Sequence, residues 1–142
     1  MTSYEKMKRR LFKSRRYVFE RKDFSDIASY DQVGRGFNRL IKNGLLIKIG
    51  HGLYTKARMS TLTGEPIPAK PGGVDSIVSE VLKLKKVDFT FDDLTLKFMK
   101  GEITQIPASI RFKFNPRRFS TRLQIGRKII NEKVRSTEKR VY

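Results

Sequence analysis

The sequence predicts an α+β chain: an N-terminal winged helix-turn-helix followed by a small helix-plus-antiparallel-sheet module at the C-terminal end. Three observations predict it. Residues 1–60 hold three short apolar-periodic or capped runs followed at once by two β-prone runs around a glycine turn. A Pro- and Gly-rich stretch then interrupts the pattern. Beyond it, one helical period gives way to alternating apolar and polar residues, the two-residue period of half-buried strands. With 142 residues, 38% of them apolar and 11% aromatic, the chain has enough apolar surface to fold.

The elements follow in order. Residues 4–18 open as an amphipathic helix, with Tyr4, Met7, Leu11 and Phe12 on one side and cations between them. Val18 and Phe19 make a short strand-like step, and Phe24, Ile27 and Ala28 share a face of a second, short helix over 23–28. Ser29 stands three residues before Gln32, the capping-box spacing, and Asn43-Gly44 accept a left-handed stop, so a third helix runs over 30–43. Its Val33, Phe37, Leu40 and Ile41 form the packing stripe. Gly34 and Gly36 inside it each cost about 1 kcal/mol against Ala, and therefore call for close packing on a neighbouring helix or close approach to a partner. Residues 45–49 and 53–56, separated by Gly50-His51-Gly52, predict a hairpin. Pro66, Pro68 and Pro71 with Gly64, Gly72 and Gly73 support neither helix nor ladder and read as a linker. A helix over 74–87 and another over 92–99 follow, then strands over 109–114 and 121–125 and a turn at Gly126-Arg127 into Lys128-Ile129-Ile130, a basic meander. The predicted organisation is residues 1–58 as the winged domain, 59–73 as linker, 74–132 as the second module and 133–142 as a basic mobile tail.

Charge narrows the partner. Thirty-two Lys and Arg against fourteen Asp and Glu leave +18. Residues 1–60 carry +10, residues 61–110 carry −1 and residues 111–142 carry +9, so two basic blocks flank a neutral middle. This distribution points to a polyanion. No cysteine is present and His51 is the single histidine, which excludes disulfides, thiolate or multi-His metal sites and a Cys nucleophile. His51 has no Ser or Cys nucleophile and orienting acid beside it in sequence, and neither glycine pair completes a dinucleotide fingerprint. Asp92-Asp93 suits helix capping better than metal binding, because adjacent helical residues diverge by about 100°. The expectation is a non-enzymatic protein without cofactor or metal. No apolar run approaches the roughly 18 residues of a membrane span, and the expected location is cytoplasmic.

On a winged helix the third helix enters the major groove, which makes Tyr30, Asp31, Gln32, Arg35, Asn38 and Arg39 the candidate base contacts. Arg matches guanine O6 and N7, and Gln or Asn matches adenine N6 and N7. Arg9, Arg10, Arg15, Arg16, Lys42, Lys48, His51 and Tyr54 are the phosphate or wing candidates. Arg111, Lys113, Arg117, Arg118, Arg122, Arg127 and Lys128 form an expected second basic surface that clamps flanking DNA or seals a homodimer. Double-stranded DNA is the expected partner, with a cognate toxin or another protein as a further one. Two alternatives remain: an RNA-binding protein stacking bases on Phe112, Phe114 and Phe119, and a phage- or plasmid-encoded inhibitor or antitoxin acting through a protein partner.

The runs Val18-Phe-Glu-Arg-Lys-Asp-Phe24, Ser29-Tyr-Asp-Gln-Val-Gly-Arg35, Leu40-Ile-Lys-Asn-Gly44 and Lys48-Ile-Gly-His-Gly-Leu-Tyr54 resemble the N-terminal winged helix of the abortive-infection type IV antitoxins and related plasmid and phage regulators. The resemblance continues through Leu62-Thr-Gly-Glu-Pro66 and Gly101-Glu-Ile-Thr-Gln-Ile-Pro107, and spans about residues 18–130. It implies a DNA-binding repressor of its own promoter, often accompanied by a nucleotidyltransferase-like toxin in longer members. Where those members carry a large C-terminal antitoxin domain, this sequence has the basic meander, so DNA binding is the property the resemblance carries over.

Overall fold

Four rings in series tie the N-terminal elements together. Phe19 meets Phe24 at 5.8 Å between centroids, Phe24 meets Phe37 edge-on at 5.2 Å, and Phe37 meets Tyr54 edge-on at 4.8 Å. All four are buried, in one core with Met7, Leu11, Val33, Leu40 and Leu46. Each edge-to-face pair adds about 0.5–1.5 kcal/mol beyond the area it buries. The computed structural model describes residues 1–105 and 110–132. Those residues form a mixed α+β structure of helices and antiparallel strands.

The first helix, α1, spans Ser3–Lys13 and begins on a capping box between Thr2 and Glu5. It ends earlier than the amphipathic pattern over 4–18 predicts. Ser14 is extended, its carbonyl accepts from Lys56 Nζ at 2.5 Å, and its hydroxyl accepts from the Arg16 N–H, so the turn that would continue the helix is spent elsewhere. Strand β1 is Val18–Phe19. The expected short helix over 23–28 is a 3-10 turn at Arg21–Phe24, two residues earlier, because the Asp23 carboxylate accepts from Glu20 N–H at 2.8 Å and buried Phe24 anchors the turn. Helix α2 spans Tyr30–Lys42 with the Ser29–Gln32 capping box, and Gly44 takes a positive φ just after it, both as the sequence predicts. The α2 helix packs on α1 and on the 3-10 turn.

Strands β2 (Leu46–Gly50) and β3 (Leu53–Met59) form the expected hairpin, with Gly52 at positive φ in the turn. The other edge of β3 receives β1 at Tyr54 and Thr55. The predicted linker also joins this sheet. Pro66–Pro68 is strand β4, paired with β3 from Ala57 to Met59. Ser60 N–H donates to Glu65 O and Ala69 N–H donates to Lys56 O, so the odd-numbered residues face β3 and the prolines fall where no donor is needed.

Helix α3 is Gly73–Leu84, β5 is Phe89–Phe91 and α4 is Asp93–Met99, capped by Asp92, which accepts from Thr95 N–H at 2.9 Å. Capping is the role the sequence predicts for the Asp92-Asp93 pair. The Asp92 carboxyl is held below its usual range by the Thr95 hydroxyl and backbone N–H.

The basic meander does not form. Strand β6 (Phe112–Phe114) pairs with β5, whereas β7 (Leu123–Ile125) and β8 (Lys128–Ile130) form a hairpin laid on the edge of β2. The chain accordingly divides into one unit of residues 1–77 and 121–142 and a second of residues 78–120, rather than at a linker over 59–73. In the second unit, Phe89, Phe91 and Phe112 cluster with centroids 5.2–6.0 Å apart. Ser109, the start of the expected strand, and the expected mobile tail over 133–142 lie outside the described residues.

Candidate nucleic-acid interface

Helix α2 has two unlike faces. Val33, Gly34, Gly36, Phe37 and Leu40 are buried, and Tyr30, Asp31, Gln32, Arg35, Asn38 and Arg39 are all exposed. The 3.6-residue period that buries one stripe turns Asp31, Gln32, Arg35, Asn38 and Arg39 outward together, while Tyr30, one turn before Gly34 on the same side of the helix, is exposed at its start. Their freedom differs. Gln32 Oε1 accepts from Ser29 N–H at 3.2 Å, so this amide serves first as a cap. The Arg39 guanidinium lies over the ring of Tyr4, 3.9 Å from its centroid, and the Tyr4 hydroxyl accepts from Asn43 Nδ2 at 2.8 Å, which holds that ring in place. Arg35 and Asn38 have no hydrogen-bond or ion-pair partner among the described residues.

The glycines of α2 have packing reasons. A methyl at Gly36 would collide with Met7 Cε, so the absent side chain lets α1 approach. A methyl at Gly34 would lie 2.9 Å from the Arg21 guanidinium carbon. Arg21 also lies over the Tyr30 ring, 4.8 Å from its centroid. The sequence reading misses Arg21, because only the folded turn brings it back over the start of α2.

Several expected phosphate contacts are already engaged. Arg10 donates to both carboxylate oxygens of Asp26, at 2.6 and 2.7 Å, and to Asp23 O at 2.9 Å. The hydrogen bond from Arg10 holds the Asp26 carboxyl down at about 2, and the same bond raises the Arg10 guanidinium. Arg16 donates to Asp23 and to Val18 O and lies over the Phe19 ring. These two arginines brace the 3-10 turn. Tyr54 is a correction of another kind: it is buried against Phe37 and presents nothing at the surface of the hairpin. Arg9, Arg15, Lys42 and Lys48 are exposed, and His51 is exposed at the hairpin turn. Gly50, just before that turn, lies close to the start of β7: a methyl there would lie 2.9 Å from Arg122 O.

The expected second basic surface is divided between the two units. Arg111, Lys113, Arg117 and Arg118 belong to one, while Arg122, Arg127 and Lys128 belong to the other. Lys128 pairs with Asp75 at 3.1 Å, and Arg122 donates to Gln124 Oε1 at 3.2 Å. Phe112 and Phe114 are half-buried and Phe119 is buried, which leaves the rings proposed for RNA stacking largely covered. No group of three or more His, Cys, Asp or Glu side chains among the described residues is placed to hold a metal ion. No helix among them is long and apolar enough to cross a membrane. Comparison with protein-family models, curated proteins and solved structures finds no match to this chain.

Proposed function

We propose that this chain is a sequence-specific double-stranded DNA-binding regulator that inserts α2 into the major groove and sets the β2–β3 hairpin beside it as a wing. The reading rests on one observation: Asp31, Gln32, Arg35, Asn38 and Arg39 face solvent together on a helix whose opposite stripe is locked into the core. Arg35 and Asn38 are the primary readers, since no other group in the described residues competes for them. Arg39 reads from a fixed position on Tyr4. Arg9, Arg15, Lys42 and Lys48 supply phosphate contacts, in keeping with the +10 balance of residues 1–60. Autoregulation of the antitoxin type accords with the sequence resemblance.

Selection from random duplex DNA at physiological salt tests the proposal. An enriched motif is expected, with affinity falling steeply between 50 and 200 mM salt. Two-fold symmetry in that motif would mean two copies bind. Enrichment of no sequence, together with a stable complex with another protein, would favour the protein-inhibitor reading instead.

A further inference from the structure

We infer that Arg21 is a preset anion-binding group that takes one backbone phosphate of a DNA duplex beside the start of α2; the inference rests on the DNA-binding reading and adds a contact to it. Tyr30 and Gly34 are four residues apart, one turn along the same side of α2. Arg21 covers both. A methyl at Gly34 would meet Cζ and Nη1 at 2.9 Å and Nη2 at 3.1 Å. These near-equal distances mean that the guanidinium turns its flat face, not its edge, to the helix backbone. The N–H groups lie in that plane and point along the surface.

Those donors have no acceptor among the described residues, and the neighbouring carboxylates are taken. Asp23 accepts from Arg16 and from Glu20 N–H, Asp26 accepts from Arg10, and Glu20 pairs with Lys22. A guanidinium held by its face, with its edge unsatisfied, suits the forked geometry of two phosphate oxygens. Stacking on Tyr30 and on the glycine has already ordered the side chain, so little rotamer freedom is left to lose on binding. Among the arginines near the 3-10 turn, Arg10 and Arg16 are committed to carboxylates; Arg21 is committed to none.

The test uses the full chain and a labelled 30-base-pair duplex of random sequence, titrated by fluorescence anisotropy between 50 and 200 mM KCl. Arg21→Ala is expected to reduce the slope of log affinity against log salt by about 1, and to weaken selected and random duplexes by the same factor. Gly34→Ala is expected to reproduce that loss with Arg21 still present, because the methyl displaces the guanidinium. Thermal melting of both variants confines the comparison to folded protein. Unchanged slopes in both variants, with the wild type bound, overturn the role of Arg21 and leave the DNA-binding reading standing. Failure of the wild type to bind any duplex overturns both.

Discussion

Arg35 and Arg10 are both arginines on polar helix faces, yet only Arg10 is paired with a carboxylate. Arg35 is exposed and has no partner among the described residues, so Arg35→Ala should leave the melting temperature nearly unchanged and, on the proposed DNA-binding function, reduce discrimination between the selected motif and random duplex by about 1–3 kcal/mol. Competition binding with the two duplexes measures this. Arg10 instead holds Asp26, whose carboxyl sits at about 2 rather than at its ordinary value. Because that value is depressed in the folded state, the pair contributes stability above the unfolded carboxyl range near 4, and loses it as pH falls toward 2. Asp26→Asn should flatten the acid limb of stability over that window, as followed by urea midpoints at stepped pH. The residue types and spacing were legible in the sequence. Which arginine finds a carboxylate was not, because Asp26 lies sixteen residues from Arg10 and meets it only after the turn forms.

At the scale of elements, caps were the most legible feature. The α2 cap and stop and the β2–β3 hairpin all stand where local residue chemistry puts them. The end of α1, the site of the 3-10 turn and the strand made by Pro66–Pro68 are settled by partners distant in sequence: Lys56 for Ser14, the buried core for Phe24, and β3 for the prolines. The α1–α2 contact yields a test. Gly36→Ala gains about 1 kcal/mol of helix propensity but forces buried Met7 aside, and overpacking of this kind costs about 1–3 kcal/mol. A net loss of stability is expected. In a double-mutant cycle, Met7→Ala should cost less in the Gly36→Ala background than alone, since the added methyl occupies part of the space Met7 leaves.

For the whole molecule, the decisive feature is that residues 121–130 return to the sheet begun by residues 18–59. Leu123 and Ile125 are buried, each side chain accounting for about 1.5–3 kcal/mol of burial. Truncation before Thr121 should therefore lower the urea midpoint, and not merely weaken DNA binding as loss of a basic clamp would. Gly50→Ala should have a smaller effect of the same sign, about 1–3 kcal/mol, because the atom in its way is the Arg122 carbonyl oxygen, which cannot swing aside as a side chain can. Equal midpoints for wild type and truncation would show that β7 and β8 add nothing to the first unit.

Periodicity, caps and glycine turns by themselves determined the α+β class and the exposed face of α2, since each depends on residues within one turn or one hairpin of one another, and composition alone placed the cations toward both ends. Tertiary structure alone decided which strands pair, which arginines are occupied and what lies against the two glycines of α2. Those outcomes depend on contacts between residues far apart in the chain, whose geometry no local pattern encodes: β6 chose β5, β7 chose β2, and Arg21 and Met7 came to lie against Gly34 and Gly36.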